Sequence, residues 1–539
     1  MNDAMLGVMI DCSRNSVLKP SALKKLMTLL AKMGYNSVQL YTEDTFEAEN
    51  EPYFGYLRGR YSAAELQDLD AFAATQGIEL VPCVNMLAHL NQIFRWAPYR
   101  EINDMHDILL VGEERTYELI ENIFRSLAAD FRTRKVHIGM DEAHMLGMGK
   151  YFEKHGPTDR QEIMLSHLTR VAAIAEKYGF TCMMWSDMFF RLAFNGAYDA
   201  NGDAAAIRDI CRKIPHNVRL VYWDYYSVDK QQYVSRIQAH QKLGDGTIFA
   251  GGCWTWVGLA PLNAYSLRAT EAAVSACRET GVKDMFFTMW GDNGGSCSPF
   301  SVLPSLVYAA CLAQGNGDMA QVKAKFREIV GMDFDAFMAL DLPNILPQSD
   351  ENNQCTNASK YLLYNDVLLG IFDTTLNEGD GEIFRAHARK LAAGESNSDY
   401  GFIFKPLRLL CECLYYKADL GIVLRRLYKA SDKAGLKALC KTRFTPLIKK
   451  LEEFYDAFVA YWDTLFKPHG FDVMDVRIGG LIRRIEHCAQ KVQAYVAGKT
   501  DRIPELEEQL LDVEGKGTDG EKGPLCYNNW AQIVSANII

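Results

Sequence analysis

The stretch Lys135-Val-His-Ile-Gly-Met-Asp-Glu-Ala-His144 decides how the first part of this chain is interpreted. It begins as a short β-rich run of the kind that forms a buried strand. It then reaches Gly139 and the adjacent carboxylates Asp141 and Glu142. A helical pattern, Gln161–Lys177, follows after a loop. The segment therefore predicts a strand that ends in a polar loop and is followed by a helix.

The same strand-then-helix unit recurs from residue 6 to about residue 315. Amphipathic stretches separate the apolar runs, and several of them end at a glycine, as helices often do. Eight such units predict an α/β fold, a (β/α)8 TIM barrel with a parallel sheet. The predicted strands are Leu6–Ser13, Ser37–Asp44, Ile78–Asn85, Lys135–Ala143, Thr181–Met188, Val218–Tyr225, Thr247–Trp254 and Asp284–Asp292; the predicted helices include Ser21–Met33, Ala64–Gln76, Thr116–Ala129, Gln161–Lys177 and Ser266–Glu279.

Every predicted strand ends in polar or aromatic residues. For one strand alone, a polar residue that satisfies loop backbone groups would be the simpler interpretation. In a barrel, however, all these ends meet at one mouth, where barrel enzymes carry their active sites. Recurrence on all eight strands therefore predicts a functional site built from Asp11/Arg14, Glu43/Asp44, Asn85/His89, Asp141/Glu142, Trp185/Asp187, Trp223/Asp224/Tyr225, Trp254/Trp256 and Trp290/Asp292.

Long amphipathic stretches replace the strand pattern after about residue 340. We expect a catalytic barrel over residues 1–340 and an all-α C-terminal domain over residues 341–539. The helical stripes are expected to pack on one another and against the barrel, with a homodimer interface as the alternative use. The stretches are Ala358–Phe372, Glu382–Ala392, Gly401–Lys429, Lys433–Leu465, Val473–Ala497 and Ile503–Leu511.

Composition excludes several classes of partner. With 48% hydrophobic and 23% charged residues the chain can bury a large core. Its formal net charge of −10 and the lack of a Lys/Arg block argue against nucleic acid and anionic membranes as partners. No stretch reaches the roughly 20 uninterrupted apolar residues of a membrane span. We therefore expect a soluble globular protein.

The cysteines and the N-terminus predict a cytoplasmic location. The 14 cysteines are scattered, many lie in apolar runs, and they show no CxxC pair or disulfide-like spacing. The first residues, Met1 to Met5, contain no basic region of the kind that opens a signal peptide. Buried free thiols in a reducing compartment are the expected arrangement.

The segment His137-Ile-Gly-Met-Asp-Glu142 resembles the His-x-Gly-x-Asp-Glu signature of the family 20 glycoside hydrolases, the exo-β-N-acetylhexosaminidases. Further parts of that family's pattern occur in the same order over about residues 6–315. They include Gly7-Val-Met-Ile-Asp-Cys-Ser-Arg14 in the first strand, Leu40-Tyr-Thr-Glu-Asp44 in the second, His89 after the third, Met184-Trp-Ser-Asp187 in the fifth and Trp290-Gly-Asp292 in the eighth.

Three segments depart from the family pattern. Leu87-Ala-His89 stands in place of Pro-Gly-His, Asp292 in place of a glutamate, and the seventh strand, Gly251-Gly-Cys-Trp-Thr-Trp256, lacks Tyr-x-Asp. The chain as given also lacks the small α/β domain that often precedes the barrel. With these departures and its helical C-terminal region, the chain resembles a divergent branch of the family, the streptococcal-type exo-hexosaminidases of broad specificity.

The resemblance implies a retaining mechanism without an enzyme nucleophile. The family is a known exception to the two-carboxylate scheme, because the 2-acetamido oxygen of the substrate attacks the anomeric carbon. Glu142 would protonate the leaving oxygen and later deprotonate water, and Asp141 would orient the acetamido N–H. Tyr225 is the candidate to hold the acetamido oxygen, since the seventh strand has no tyrosine. The implied substrates are terminal β-linked GlcNAc and GalNAc glycosides.

The remaining candidate residues suit sugar binding. Indole rings stack on pyranose faces and can enclose an acetyl methyl group, although ordinary core packing is the alternative for each. Arg14 and Asp292 can bind ring hydroxyls, and His137 is expected to support the Asp-Glu pair through a hydrogen bond. The predicted substrate-binding residues are Arg14, His89, His137, Trp185, Trp223, Trp254, Trp290 and Asp292.

No metal or cofactor is expected. The histidines His89, His137 and His144 match no zinc-site spacing, and a His-Glu-x-x-His helix is absent from the sequence. The glycine pairs Gly251-Gly252 and Gly294-Gly295 are not followed by a phosphate-loop pattern.

Two other functions remain open from the sequence. One is a barrel glycosidase in which Asp187 or Asp224 is a true nucleophile, which would act on sugars without an N-acetyl group. The other is a non-catalytic carbohydrate-binding barrel, because a fold alone never establishes turnover.

Overall fold

The computed structural model describes residues 4–193, 204–244, 246–350, 355–515 and 522–539. Its first part is a closed barrel of eight parallel strands in which each strand pairs with the next along the chain and the last pairs with the first. The (β/α)8 prediction is confirmed. The strands are β1 Leu6–Asp11, β2 Ser37–Tyr41, β3 Glu79–Cys83, β4 Lys135–His137, β5 Thr181–Trp185, β6 Val218–Trp223, β7 Ile248–Gly252 and β8 Met285–Met289.

The barrel is filled by its own side chains. Every second residue of a strand points inward, and these residues form a separate buried cluster. The cluster contains Met9, Tyr41, Val81, Cys83, Met183, Trp185, Val221, Ile248, Ala250 and Phe286. Because Tyr41 and Trp185 are the last residues of their strands, the top layer of this packing is also the floor of the barrel mouth.

Helices surround the barrel, and local sequence explains where several begin and end. Ser62 forms a capping box with Glu65 at the start of Ala63–Thr75, and Gly34 ends Pro20–Met33 in the left-handed conformation. A short hairpin of Asn103–Met105 and Ile108–Leu109 was not predicted. The helices are Pro20–Met33, Ala63–Thr75, Asn91–Phe94, Glu114–Asp130, Lys150–His155, Arg160–Lys177, Asp187–Ala193, Ala204–Lys213, Lys230–Gln241, Asn263–Thr280 and Leu303–Ala313.

The rest of the described chain is helical, as expected, and contains no named strand among its described residues. Lys433–Leu465 is helical throughout, with a π-helical turn at Cys440–Phe444. The α-helices are Met319–Val330, Phe334–Met338, Ala358–Tyr364, Ile383–Ala392, Gly401–Lys417, Leu420–Lys429, Lys433–Leu439, Thr445–Leu465, Phe471–Met474, Gly480–Val496, Pro504–Glu507 and Trp530–Val534.

Three of the predicted C-terminal helices are shorter or interrupted. The predicted Ala358–Phe372 is an α-helix only to Tyr364, because the carboxylate of Asp366 accepts backbone N–H groups of the loop that follows. Gly401–Lys429 breaks at Asp419, whose carboxylate accepts the N–H of Gly379. Ile503–Leu511 is reduced to Pro504–Glu507. In the first case local side-chain-to-backbone hydrogen bonds compete with the helix, and in the second a hydrogen bond from a residue distant in sequence accompanies the break.

The C-terminal region packs on the barrel and reaches its mouth. Leu18 bridges to Phe466, and Lys467 pairs with Glu65 at 2.6 Å. Nearer the mouth, Asn357 Nδ2 donates to Val257 O at 2.6 Å. Across the described ranges, none of the helices has both the length and the apolar character needed to cross a membrane.

Candidate active site

A cavity of about 120 Å³ opens at the carboxyl ends of the barrel strands. Its walls combine four acidic or basic side chains, one histidine and six aromatic rings. Nine of the eleven predicted site residues line it, and His137 and Trp254 do not. The lining residues are Arg14, Tyr41, His89, Asp141, Glu142, Trp185, Trp223, Tyr225, Tyr226, Trp290 and Asp292.

The loop after β4 has an unusual backbone that presents the two carboxylates. Gly139 has φ +67°, and a Cβ there would lie 1.5 Å from Asn85 Oδ1, so no other residue fits. Met140 and Glu142 also have positive φ, 68° and 50°. Non-glycine residues rarely adopt this conformation, and it concentrates at functional sites. The turn places Asp141 and Glu142 on the cavity wall.

Asp141 forms an ion pair with His89. The distance from His89 Nε2 to Asp141 Oδ2 is 3.3 Å. Burial alone would raise the pKa of Asp141, but the positive charge of His89 outweighs it and lowers that pKa. Burial disfavours the charged form of His89, yet Asp141 raises the pKa of His89 to about 10. Near neutral pH the pair therefore consists of a carboxylate and an imidazolium.

The other oxygen of Asp141 has no partner. Asp141 Oδ1 is buried and accepts no hydrogen bond from any residue that the structure describes. A buried acceptor without a donor is costly, so such atoms in native proteins call for an explanation. A donor on a bound molecule would satisfy it.

The backbone of Glu142 is fixed by a hydrogen bond to the side chain of Asp187. The Glu142 side chain is 42% exposed at the opening, with Oε2 3.7 Å from His89 Nε2. Its backbone N–H donates to Asp187 Oδ2 at 3.0 Å, and Trp223 Nε1 donates to Asp187 Oδ1 at 3.4 Å. Burial and the nearby charge of Asp141 raise the pKa of Asp187 to about 7. Asp187 itself does not line the cavity.

Arg14 lies among three carboxylates on the opposite wall. Its guanidinium nitrogens are 3.2 Å from Asp11, 3.6 Å from Glu43 and 3.8 Å from Asp292. Tyr41 donates its hydroxyl to Glu43 at 3.1 Å, and burial raises the pKa of Glu43 to about 7. The arrangement fixes the guanidinium, while the half-buried Asp292 stays accessible from the cavity.

Aromatic rings form the remaining walls. Trp185 is 1% exposed at the floor, with its ring 6.1 Å from that of Trp290. Tyr225 stacks on Trp223 with ring centroids 5.4 Å apart. Burial raises the pKa of Tyr225 well above its ordinary value, so its hydroxyl keeps its proton.

His137 and Trp254, which were predicted to bind substrate, are not among the residues that line the cavity. His137 Nδ1 accepts the N–H of Gly139 at 3.1 Å instead of bonding the Asp-Glu pair, and burial lowers its pKa to about 3. Trp254 Nε1 donates to the carbonyl of Tyr225 at 3.2 Å. Both rings pack on other aromatic side chains, His137 on Trp185 and Trp254 on Trp256.

Two lining residues were not selected from the sequence. Tyr41 ends β2 and faces the barrel interior, a position that alternation along the strand could have shown. Tyr226 follows Tyr225 and is 60% exposed. Nothing in the local pattern distinguishes it from an ordinary surface tyrosine.

His89, Asp141 and Glu142 could also hold a metal ion by geometry, since one potential ligand atom from each lies within 4.8 Å of the others. Metal binding requires the neutral imidazole. Because the pKa of His89 is about 10, an ion would have to displace a tightly held proton. The ion pair is the arrangement that these charges favour.

Two family models match separate parts of the chain. Residues 6–238 match the glycosyl hydrolase family 20 catalytic domain, and residues 335–524 match the glycoside hydrolase 20C C-terminal domain. The first range contains β1 to β6 and most of the cavity residues.

Individual relatives are distant. A β-hexosaminidase of Akkermansia muciniphila is 24% identical over a region that covers 33% of this chain and 43% of the relative. One of Vibrio furnissii is 24% identical over 31% of this chain and 34% of the relative. The chain thus matches less than half the length of either relative.

Among solved structures, similar chains include an exo-β-N-acetylglucosaminidase of Vibrio harveyi in complex with N-acetylglucosamine, with TM-score 0.45 and 15% identity over 62% of this chain and 58% of that one. A β-N-acetylhexosaminidase of Bacteroides fragilis has TM-score 0.46 and 18% identity over 61% of this chain and 70% of that one.

Proposed function

Because the chain belongs to glycoside hydrolase family 20, we propose that it is a retaining exo-β-N-acetylhexosaminidase. Its substrates would be glycosides that end in β-linked N-acetylglucosamine or N-acetylgalactosamine. The observation that carries the proposal is the pair Asp141 and Glu142 at an aromatic-walled cavity, the first ionised and with a buried free oxygen, the second open to solvent.

Asp141 would act on the acetamido group of the substrate. In substrate-assisted hydrolysis the acetamido oxygen attacks the anomeric carbon and forms an oxazolinium ion. The lone pair of Asp141 Oδ1 can accept the acetamido N–H, which orients the group and stabilises the positive charge that develops. The low pKa of Asp141 keeps this oxygen negative while the charge forms.

Glu142 would be the general acid and base. It protonates the leaving glycosidic oxygen in the first step and removes a proton from water in the second. Its exposed side chain lies at the opening, where an aglycone would leave and water would arrive. The hydrogen bond from its backbone N–H to Asp187 supports a fixed position for both steps.

The aromatic wall would enclose the acetyl group. Trp185, Trp223 and Trp290 provide flat apolar faces, and the protonated hydroxyl of Tyr225 can donate to the acetamido oxygen. Arg14 and Asp292, held 3.8 Å apart on the other wall, would bind ring hydroxyls. The charged His89 would position Asp141 and contact the sugar.

The alternative nucleophiles are poorly placed. Asp187 accepts the Glu142 N–H and lies outside the lining of the cavity. Asp224 accepts the Tyr222 hydroxyl at 2.8 Å and pairs with Arg236. Neither carboxylate faces the cavity, and this favours substrate assistance over double displacement. The intact Asp141 and Glu142 also favour an enzyme over a silent binding barrel.

Paired aryl β-glycosides, with and without the 2-acetamido group, test the proposal. We expect turnover of the 2-acetamido sugars alone, a rate that falls steadily as the acetyl group is fluorinated, and tight inhibition by a thiazoline analogue. The Asp141→Asn variant, which should be inactive on aryl glycosides as well, is the matched control for contaminating activity. Equal turnover of glucosides that lack the acetamido group, or a sugar ester trapped on Asp187 or Asp224, would refute it.

A further inference from the structure

Two cysteines that are far apart in sequence touch beside the barrel mouth. The S–H of Cys355 donates to the sulfur of Cys526, with 3.2 Å between the two sulfur atoms, although the two residues are 171 positions apart in the chain. Cys355 is half-buried against the cluster formed by Tyr225, Trp254 and Trp256, whereas Cys526 is exposed. Eleven of the fourteen cysteines are buried, so this pair has unusual access to solvent.

Hydrogen bonds hold the two cysteine-bearing segments in register. The N–H of Asn357 donates to Leu525 O at 3.2 Å, and the N–H of Tyr527 donates to Asn357 Oδ1 at 2.9 Å. Thr356 Oγ1 also donates to Leu525 O, at 3.1 Å. The contacts lie on both sides of the sulfur pair, so the fold itself brings the two thiols together and little rearrangement is needed to join them.

The same segments support the catalytic cavity. Buried Lys360 donates to Asn528 Oδ1 at 2.6 Å. Asn293 Nδ2 donates to Asn528 O at 2.6 Å, and Asn293 is the neighbour of Asp292 on the cavity wall. A link between the sulfur atoms would therefore fasten the C-terminal segment to the rim of the site.

We propose that Cys355 and Cys526 are a disulfide-forming pair that is oxidised by exchange with a low-molecular-weight disulfide. The Cys526 thiolate attacks one sulfur of the small disulfide and expels one small thiolate. Cys355 then loses its proton to solvent and attacks Cys526 sulfur in the mixed disulfide, which expels the second small thiolate. Two protein thiols are oxidised to one disulfide, and the small disulfide is reduced to two thiols.

The geometry assigns the two roles. Cys526 is the attacking thiol because it is exposed, and the hydrogen bond from Cys355 lowers the pKa of Cys526. Cys355 is the resolving thiol because it lies in contact and is shielded from the small disulfide. The pKa of Cys355 is raised by its hydrogen bond to Cys526 and by burial. That hydrogen bond ends once Cys526 enters the mixed disulfide, and because the two sulfur atoms already lie 3.2 Å apart, the mixed disulfide should be short-lived.

The test is independent of glycosidase activity. The full chain is incubated with glutathione disulfide, its remaining thiols are alkylated under denaturing conditions, and the unreduced digest is analysed by mass spectrometry. We expect one cross-linked peptide pair containing Cys355 and Cys526, twelve alkylated cysteines, reversal by dithiothreitol, and a melting temperature that rises by several degrees because the closed loop restricts the unfolded chain.

Two variants give the matched controls. Cys526→Ser should lose the cross-link and the rise in melting temperature, while Cys211→Ser, which removes a half-buried cysteine elsewhere, should keep both. In Cys355→Ser, glutathione should remain attached to Cys526. Persistent glutathione on Cys526 in the wild-type chain, or fourteen alkylated thiols after oxidation, would overturn the proposal.

Discussion

Replacing Asp187 with alanine should slow turnover by weakening the position of Glu142. The change removes the acceptor 3.0 Å from the Glu142 N–H and the weaker contact, 3.4 Å, to Trp223 Nε1. Leaving a donor unpaired costs about 1–3 kcal/mol. Glu142 also has φ 50°, a conformation that needs support from its surroundings. We expect kcat to fall about 10- to 100-fold, at roughly 1.4 kcal/mol for each factor of ten.

The dependence on leaving group distinguishes this role from others. A displaced general acid matters most when the leaving oxygen needs a proton, so Asp187→Ala should affect alkyl glycosides more than activated aryl glycosides. Asp187→Asn keeps one oxygen for the Glu142 N–H and should lose less than about 10-fold. Both variants should remain folded by circular dichroism. Wild-type turnover of alkyl glycosides by Asp187→Ala would refute the reasoning, and equal, complete loss in both variants would indicate a nucleophile instead.

Four further changes follow from the same geometry. Glu142→Gln should abolish most turnover of a natural disaccharide and spare the first step on activated aryl substrates; a wild-type rate on the disaccharide would contradict this. Asp141→Asn should lose activity while the protein stays folded by circular dichroism, since shape is kept and charge is lost. Gly139→Ala should destabilise the chain by more than about 1 kcal/mol in urea unfolding, because its Cβ would collide with Asn85. Because the pKa of His89 is raised to about 10, the protonated imidazole stabilises the folded protein fully below the ordinary pKa of 6.5, and this stabilisation is lost as the pH rises through about 10. The unfolding free energy of the His89→Gln variant should therefore not show this decline at alkaline pH.

The barrel could be predicted because its signals are local and repeated. Each of the eight predicted runs contains one observed strand, since a parallel strand buried on both faces is apolar over most of its length. The strands are shorter than predicted, and β4 ends at His137, four positions before Asp141. Buried apolar residues such as Cys12, Val84 and Ile138 continue past the strand ends, so hydrophobicity alone does not mark the boundary.

The C-terminal helices were less predictable at their ends. Amphipathic stretches such as Gly401–Lys429 have the correct period, yet the helix breaks where Asp419 bonds to Gly379 and Arg443. Such a break depends on residues that are distant along the chain. Helical periodicity contains no information about them.

The residues of the candidate site could be predicted only in part from the sequence. Strand-end polarity identified nine of the residues that line the cavity, because all strand ends of a barrel converge. The strand-end pattern could not distinguish residues that line the cavity from residues that lie next to it. The backbone has positive φ at His89, Met140 and Glu142, so the side chains there do not follow the alternation of a strand. His137 illustrates the consequence: it belongs to the same motif as Asp141, but it accepts the N–H of Gly139 and so holds the turn that presents the carboxylates. Within the motif His-x-Gly-x-Asp-Glu, the histidine and the glycine therefore fix the conformation of the loop, and the two acidic residues line the cavity.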